Sequence, residues 1–305
     1  MSTASPAASR FLLDDWRVRH QSSLEESRHS VRIFFRDRLA AVGLIYIALM
    51  IAVAIFAPVV APYPGQGRGA TDLRARFDSP GAQHVFGTDN LGRDVLSRVV
   101  YGTRIALVMP AIVALGVVLI GVPLGGIAGY YGGWLDEVVM RVTDIFLAFP
   151  GLILAMALVA FLGPGLRNIA IALVVTWWPW YARLVRGMAI SLRERPFVKA
   201  ARTMGVRDSR IVLRHILPNS LGPVIVQMTL DVGAVILEVA ALSFIGLGAA
   251  PPTPDWGLMI SEGRLYVFEA WWMVVFPGLA IFALVLAFNF VGDGLRDVLD
   301  PRSRR

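Results

Sequence analysis

The chain has 305 residues, of which 56% are hydrophobic and 17% are charged, and its mean hydropathy is +0.63. This composition excludes an ordinary soluble domain of the same length. The absence of cysteine excludes a disulfide framework and a thiolate metal site, and the four histidines are scattered along the sequence.

The N-terminal segment, residues 1–38, is polar and is predicted to be cytoplasmic. Its end, Val31–Arg38, mixes aromatic residues with cations, which is typical of an interfacial helix at the level of the lipid headgroups. A solvated linker is an equally good interpretation of residues 1–28. The first apolar run, Leu39–Ala61, starts too late and is too long for a cleaved signal peptide, so we predict that it is the first transmembrane helix.

Apolar runs recur along the rest of the chain, after a predicted extracytoplasmic loop at residues 62–103. About 20 apolar residues cross the roughly 30 Å of hydrocarbon in a bilayer. We therefore predict an all-α membrane protein with six transmembrane helices. The spans are predicted at residues 39–61, 104–130, 144–165, 168–189, 217–239 and 270–292, within a core at 104–293 that carries a cytoplasmic loop at 190–216 and is followed by a cytoplasmic tail at 294–305.

The positions of the cations predict the orientation, because cytoplasmic flanks carry an excess of Lys and Arg. With both termini inside, twenty-one of the 29 cations fall in cytoplasmic segments and eight in outer segments. Membrane topology therefore explains the net charge of +7, and no nucleic-acid partner is expected.

The loop between the fourth and fifth spans carries the strongest motif. Pro196 suits the first turn of a helix and Gly205 suits its end, so a short helix is predicted between them. Four residues share one face at the spacing i, i+3, i+4, i+7, and the small ones allow another protein to approach the backbone. These residues are Phe197, Ala200, Ala201 and Met204.

This loop resembles the cytoplasmic signature of the permease subunits of ABC importers, which reads Glu-Ala-Ala, three residues, Gly, nine residues, Ile-x-Leu-Pro. Two positions depart from it, because Lys199 replaces the glutamate and His215 replaces the isoleucine. The run Arg214–Asn219 is similar to the peptide and nickel subgroup of that family. The matching residues are Ala200, Ala201, Gly205, Leu217 and Pro218.

Further blocks between about Leu39 and Pro301 resemble the same subgroup. Together they are similar to the C-type permease of dipeptide and oligopeptide importers. The blocks are His84–Arg98, Gly126–Trp134, Tyr181–Gly187, Glu238–Gly248, Pro251–Gly257 and Asn289–Pro301.

The resemblance implies a type I ABC importer permease that forms half of a translocation pathway for peptides. It also implies a second homologous permease, two ABC ATPase subunits and an extracytoplasmic substrate-binding protein as partners. The chain would lie in the inner membrane of a bacterium or archaeon, in contact with the lipid bilayer. Helix Pro196–Met204 would be the coupling helix that docks on one ATPase; an ordinary amphipathic interfacial helix is the alternative.

The sequence lacks a phosphate-binding loop of its own. That motif requires Gly-x-x-x-x-Gly-Lys-Ser/Thr, and the only lysine, Lys199, lies between Val198 and Ala200. We therefore predict that the chain is not an enzyme and binds no cofactor or metal, and that ATP and magnesium bind to the partner ATPase subunits.

Two acidic residues lie in the predicted fifth span, Asp231 and Glu238. They are seven residues apart, so they share one helix face, and carboxylates inside a membrane usually face a cavity or a partner. One interpretation is that they line the translocation pathway or the partner interface. The equal alternative is that Asp231 pairs with an arginine of the other permease and Glu238 lies at the outer boundary.

Two outer loops carry further candidates. The segment Gly87–Arg98 is dense in charges, and its spacing predicts the ion pairs Asp94–Arg98 and Asp89–Arg93 as scaffolding, with direct contact to the binding protein as the alternative. The segment Pro251–Arg264 is rich in proline and is predicted to dock the binding protein. Its candidate docking residues are Trp256, Glu262 and Arg264.

Other functions fit less well. An intramembrane aspartyl protease requires Gly-x-Gly-Asp, but Phe290 replaces the first glycine and Asp293 lies at the end of a span. An ion-coupled secondary transporter is expected to show internal repeats, and no block has a second copy. A permease for nickel or another small solute remains the main alternative to a peptide permease.

Overall fold

The structure is a computed structural model that describes residues 34–299. Over this range the chain forms helices joined by loops, without a β-sheet. Residues 1–33 of the predicted N-terminal segment and residues 300–305, half of the predicted tail, lie outside the described residues. Of the predicted interfacial helix Val31–Arg38, residues 34–38 are described, and residues 34–36 are helical.

Helix α1, Arg38–Ile55, covers most of the predicted first span. It begins at Asp37, whose carboxylate accepts a hydrogen bond of 2.8 Å from the backbone N–H of Leu39. A break follows at Phe56, and the chain continues in the short helices α2, Ala57–Val60, and α3, Pro64–Gly67.

Helix α4, Val95–Tyr131, has 37 residues and starts nine residues before the predicted second span. The carboxylate of Asp94 caps it by accepting a hydrogen bond of 2.7 Å from the backbone N–H of Ser97. It packs along the later helix α7, Leu166–Arg193. A side chain at Gly125 would overlap the carbonyl oxygen of Ala182 in α7, so this glycine permits the close approach of the two helices.

The predicted third span is not one straight helix. Helix α5, Gly133–Leu147, and helix α6, Gly151–Leu162, meet at 87°. The break falls at Pro150, which has no N–H to donate and restricts the residue before it. At 12 residues, α6 is about 18 Å long, which is too short to cross the bilayer alone.

The predicted fifth span begins with a change of helical pitch. Helix α9, Asp208–Ile211, leads into a five-residue π-helical turn, Val212–Ile216, and then into helix α10, Leu217–Phe244. Pro218 lies at the start of α10, where its ring and missing N–H disfavour regular α-helical bonding to the preceding turn. The wider turn accommodates this proline.

Helix α8, Pro196–Thr203, lies in the basic loop before α9. The described part of the chain closes with helix α11, Trp256–Gly263, and helix α12, Trp272–Leu299. Helix α12 packs against α10 and α1, which closes the bundle. At 28 residues, α10 is about 42 Å long. It therefore separates the loop around α8 from the loop around α11.

Four helices within residues 34–299 are long and apolar enough to cross a membrane, and the bent pair α5–α6 makes up to five. Helix α7 has the length but contains four arginines. The prediction of six spans with both termini inside therefore stays a prediction. Large apolar side chains on the outer surface, such as Ile45 and Leu119, are more than 60% exposed, as expected for helices that face lipid.

Candidate functional site

The predicted short helix in the basic loop is confirmed as α8. Pro196 occupies its first turn, and Gly205 follows it with a φ of +77°, a conformation that glycine adopts without strain. The helix ends at Thr203, so Met204 is its C-terminal cap and not its last turn.

The two alanines of α8 lie on different faces, which corrects the predicted docking face. Val198 and Ala201 are buried, whereas Phe197, Ala200 and Met204 are exposed. Successive helix positions differ by about 100°, so residues 198 and 201 face inward together and residues 197, 200 and 204 form a separate outer stripe. Ala201 therefore anchors α8 and is not part of its free surface.

The inner face of α8 packs into a small apolar cluster. Val198 and Ala201 belong to the same cluster as Ile211, Val212 and Ile216 of the following segment. This cluster connects α8 to the π-helical turn and so to the start of α10.

Polar contacts fix both ends of α8. Lys199 lies 3.1 Å from Glu194, and this hydrogen bond lowers the pKa of the Glu194 carboxyl. Lys199 thus pairs with an acid before the helix, although it replaces the glutamate of the family signature. At the other end, Arg202 lies over the ring of Tyr130 at 5.3 Å, and the Tyr130 hydroxyl donates to Asp208 at 2.5 Å.

The last two residues of the signature connect this loop to the bundle. Leu217 is half-buried against α4, where a side chain at Gly126 would overlap it. Pro218 is exposed beside the π-helical turn. These two residues position the start of α10, and they do not share the outer stripe of α8.

The two acids of α10 both accept hydrogen bonds from α7. Asp231 accepts 2.8 Å from the Tyr181 hydroxyl, and Glu238 accepts 2.8 Å from Nε1 of Trp177. The predicted common face is therefore confirmed, and it faces a neighbouring helix of the same chain.

Asp231 also borders an open cavity of about 580 Å³ between α7 and α10. Aromatic rings form much of its wall, and Glu238 is not among the lining residues. The lining residues include Trp177, Trp180, Tyr181, Arg183, Gln227 and Asp231. Asp231 was predicted from the sequence; the aromatic wall was not, although the run Trp177–Tyr181 inside an apolar segment was a signal for it.

A further ion pair marks the same region as polar. Arg183 donates to Asp144 of α5 at 2.6 Å, although the Arg183 side chain is 45% exposed and the Asp144 side chain 58% exposed. An exposed ion pair is unfavourable against lipid, so this side of α7 faces water or another protein.

The two loops predicted to be extracytoplasmic form a buried ionic cluster. Asp89 and Arg93 pair at 2.5 Å as predicted, and Glu262 pairs with Arg93 at 2.8 Å and with Arg98 at 3.4 Å. The predicted pair Asp94–Arg98 is wrong, because Asp94 caps α4 and contacts His84 at 2.9 Å. The scaffolding interpretation of this loop agrees with the geometry.

This arrangement also corrects the predicted docking residues. Trp256 is 3% exposed and donates from Nε1 to the carbonyl oxygen of Val99 at 3.0 Å. It is therefore part of the core, and Glu262 is engaged by the two buried arginines. Arg264 is exposed and lies over the ring of Phe244 at 5.0 Å. Of the three predicted docking residues, it is therefore the one that remains accessible to a partner.

Comparison with known proteins identifies the class. Residues 121–305 match the model of the "binding-protein-dependent transport system inner membrane component" family, and residues 27–80 match the "N-terminal TM domain of oligopeptide transport permease C". The chain belongs to this family of binding-protein-dependent inner membrane permeases.

Relatives of known name agree with this assignment. The chain is 47% identical over 277 residues to the dipeptide transport system permease protein DppC of Alkalihalophilus pseudofirmus, covering 91% of this chain and 90% of the relative. It is 41% identical over 285 residues to the glutathione transport system permease protein GsiD of Pectobacterium atrosepticum, covering 93% and 94%. The GsiD protein of Escherichia coli is 45% identical over 271 residues, covering 89% of each chain.

A solved structure agrees with the fold. A chain of the MetNI methionine ABC transporter in inward-facing conformations superposes with a TM-score of 0.54 at 23% identity, covering 67% of this chain and 97% of that chain. The predicted ABC importer permease fold is thereby confirmed, and the chain is an inner membrane permease.

Proposed function

We propose that this chain is one of two permease subunits of an ATP-driven importer of small peptides. The named relatives transport a dipeptide or glutathione, and both kinds of substrate are peptides with a free α-ammonium group. This favours peptides over nickel as the substrate. The second permease, two ATPase subunits and the extracytoplasmic binding protein complete the proposed complex, and ATP and magnesium bind to the ATPase subunits.

The observation that carries the coupling role is the outer stripe of α8. Phe197 is 45% exposed and Met204 is 76% exposed, with the small Ala200 between them. An exposed apolar surface on a polar loop is typical of a protein contact. In the proposed complex this stripe lies against one ATPase.

The inner face of α8 supplies the connection to the membrane helices. Because Val198 and Ala201 pack on the segment 211–216, a displacement of α8 moves the π-helical turn and the start of α10 with it. Closure of the ATPase dimer around ATP would therefore tilt α10 and change which side of the membrane the cavity faces, as in rigid-body switching.

The test is ATP-dependent uptake of a radiolabelled dipeptide by proteoliposomes that contain the complete complex. We expect Met204→Asp to reduce uptake at least about tenfold and to weaken co-purification of the ATPase, because a carboxylate replaces an apolar contact. The matched control is Leu265→Asp, since Leu265 is 77% exposed and lies in the loop at the opposite end of α10. This control is expected to retain the ATPase.

Three results would contradict the proposal. Wild-type uptake by the Met204→Asp complex would remove α8 from the coupling path. Uptake without ATP or without the ATPase subunits would mean that the chain acts as a secondary transporter. Uptake of nickel and not of peptide would mean that nickel is the substrate.

A further inference from the structure

The cavity between α7 and α10 places the carboxylate of Asp231 beside a wall of aromatic rings. Asp231 is the only carboxylate among the residues that line it, and Arg183 is the only cation. At about 580 Å³, the cavity is within the range of small-molecule sites. Its chemistry therefore suits a ligand with one positive group and apolar or amide surface.

The carboxylate of Asp231 is held in place but is not saturated. The Tyr181 hydroxyl donates to Oδ2 at 2.8 Å, and Nε2 of Gln227 donates to Oδ1 at 2.9 Å. An ionised carboxylate offers roughly four acceptor positions, so about two remain for a ligand. Donors from both α7 and α10 orient these free positions, which is the arrangement of a prepared binding group.

The aromatic wall adds affinity for a cation. Trp177, Trp180 and Tyr181 line the cavity beside Asp231, and Trp180 is 59% exposed. The face of an indole or phenol ring attracts an ammonium group. Carboxylate and rings together favour an ammonium group over a neutral amide.

The depth of the site excludes an ordinary surface carboxylate. Asp231 is 14 residues from Leu217, about 21 Å along the 42 Å of α10, so it lies near the middle of the helix. A carboxylate at this depth is unfavourable unless it has a partner or faces a polar cavity.

We propose that this cavity is a transient site for the α-ammonium group of the transported peptide, with Asp231 as its anionic partner. The site rests on the proposed function and adds the recognition group within the membrane. Arg183 is already paired with Asp144, so the site gives the carboxyl end of the ligand no dedicated partner. A free amino end is therefore required, and a blocked carboxyl end is tolerated.

The experiment uses the assembled permease–ATPase complex in lipid nanodiscs without the binding protein, so that only the membrane site discriminates. Saturation-transfer NMR, which detects weak binding, compares alanyl-alanine, alanyl-alanine amide and N-acetyl-alanyl-alanine. In the wild type we expect the first two to bind alike and the acetylated form roughly 10- to 100-fold more weakly, because a charge-assisted hydrogen bond is lost.

Variants locate the discrimination. Asp231→Asn is expected to bind all three compounds within about threefold of one another, because the charged acceptor is lost. The matched control is Glu238→Gln, on the same helix and bonded to the same α7 but outside the cavity lining. Gln227→Lys is a second test variant, because the lysine ammonium would lie against Asp231 and occupy the site. It is expected to abolish discrimination between the free and acetylated dipeptides.

Each outcome decides the proposal. Equal binding of the acetylated and free dipeptides by the wild type would overturn it, as would full discrimination in Asp231→Asn. Loss of the partner permease from the Asp231→Asn complex would identify Asp231 as an interface residue and overturn the proposal, with one exception. The proposal would then stand only if Gln227→Lys abolishes discrimination between the free and acetylated dipeptides in a complex that keeps both permeases. We also measure ATP-dependent uptake of alanyl-alanine by the wild-type complex with its binding protein. No uptake would refute the proposed function itself. Uptake together with equal binding of the free and acetylated dipeptides would refute only this site.

Discussion

Replacement of Glu262 by Gln tests the buried ionic cluster formed by Asp89, Arg93, Arg98 and Glu262. The side chains of Arg93 and Arg98 are each 1% exposed, and Glu262 is 18% exposed. Without the Glu262 charge, Arg93 keeps Asp89 at 2.5 Å, but Arg98 keeps only Asp89 at 3.8 Å. Two buried guanidinium groups then share one carboxylate.

The expected cost follows from that imbalance. Removing one partner of a buried ion pair costs about 3–5 kcal/mol, and the partial exposure of Glu262 favours the lower end. A loss of about 3 kcal/mol corresponds to roughly 5 °C in the melting temperature of a chain of this size, since the unfolding entropy is about 2.1 cal/mol/K per residue. Nε and Nη1 of Arg98 already lack a hydrogen-bond partner, so the side chain has no second acceptor to use.

The assay is thermal unfolding of the purified permease in detergent, followed by tryptophan fluorescence. The control is Arg264→Gln, two residues away, which removes an exposed cation lying 5.0 Å from the Phe244 ring and is expected to cost less than about 1 kcal/mol. A melting temperature for Glu262→Gln within 2 °C or so of the wild type would refute the view that Glu262 is essential to this cluster.

Three further substitutions test helix packing by the same thermal assay. Gly125→Ala is expected to destabilise the chain by about 1–3 kcal/mol, because the new methyl group overlaps the Ala182 carbonyl. Its control, Gly187→Ala, meets open space and is expected to stabilise α7 by about 0.5–1 kcal/mol. Equal effects of the two substitutions on the melting temperature would contradict the α4–α7 contact. Trp256→Phe is expected to cost about 1–2 kcal/mol through the lost bond to the Val99 carbonyl, and an unchanged melting temperature would show that this bond is not important.

Local signals in the sequence predicted several features correctly. Pro196 and Gly205 predicted α8 because they act on the backbone of their own helix, through a fixed φ at one end and a positive φ at the other. The spacing of Asp231 and Glu238 predicted their common face for the same reason, since helical periodicity is set within one segment.

Sequence patterns were insufficient where burial depends on distant residues. Nothing near Trp256 in the sequence indicates that its indole meets Val99, 157 residues earlier. Its position in a proline-rich outer loop therefore predicted exposure, and the prediction was wrong. In the same way, nothing near Glu262 in the sequence indicates that it meets Arg93 and Arg98, which are 169 and 164 residues earlier, so the prediction that Glu262 is a docking residue was wrong.

The sequence by itself determined that the chain is an apolar helical membrane protein with the permease signature between Ala200 and Pro218, because composition and short-range spacing are properties of the linear chain. Only the tertiary structure decided that Ala201 is buried while Ala200 is exposed, and that Asp231 faces an aromatic cavity. The physical reason is that a helix pattern states which residues share a face, whereas the packing of other helices decides which face is covered.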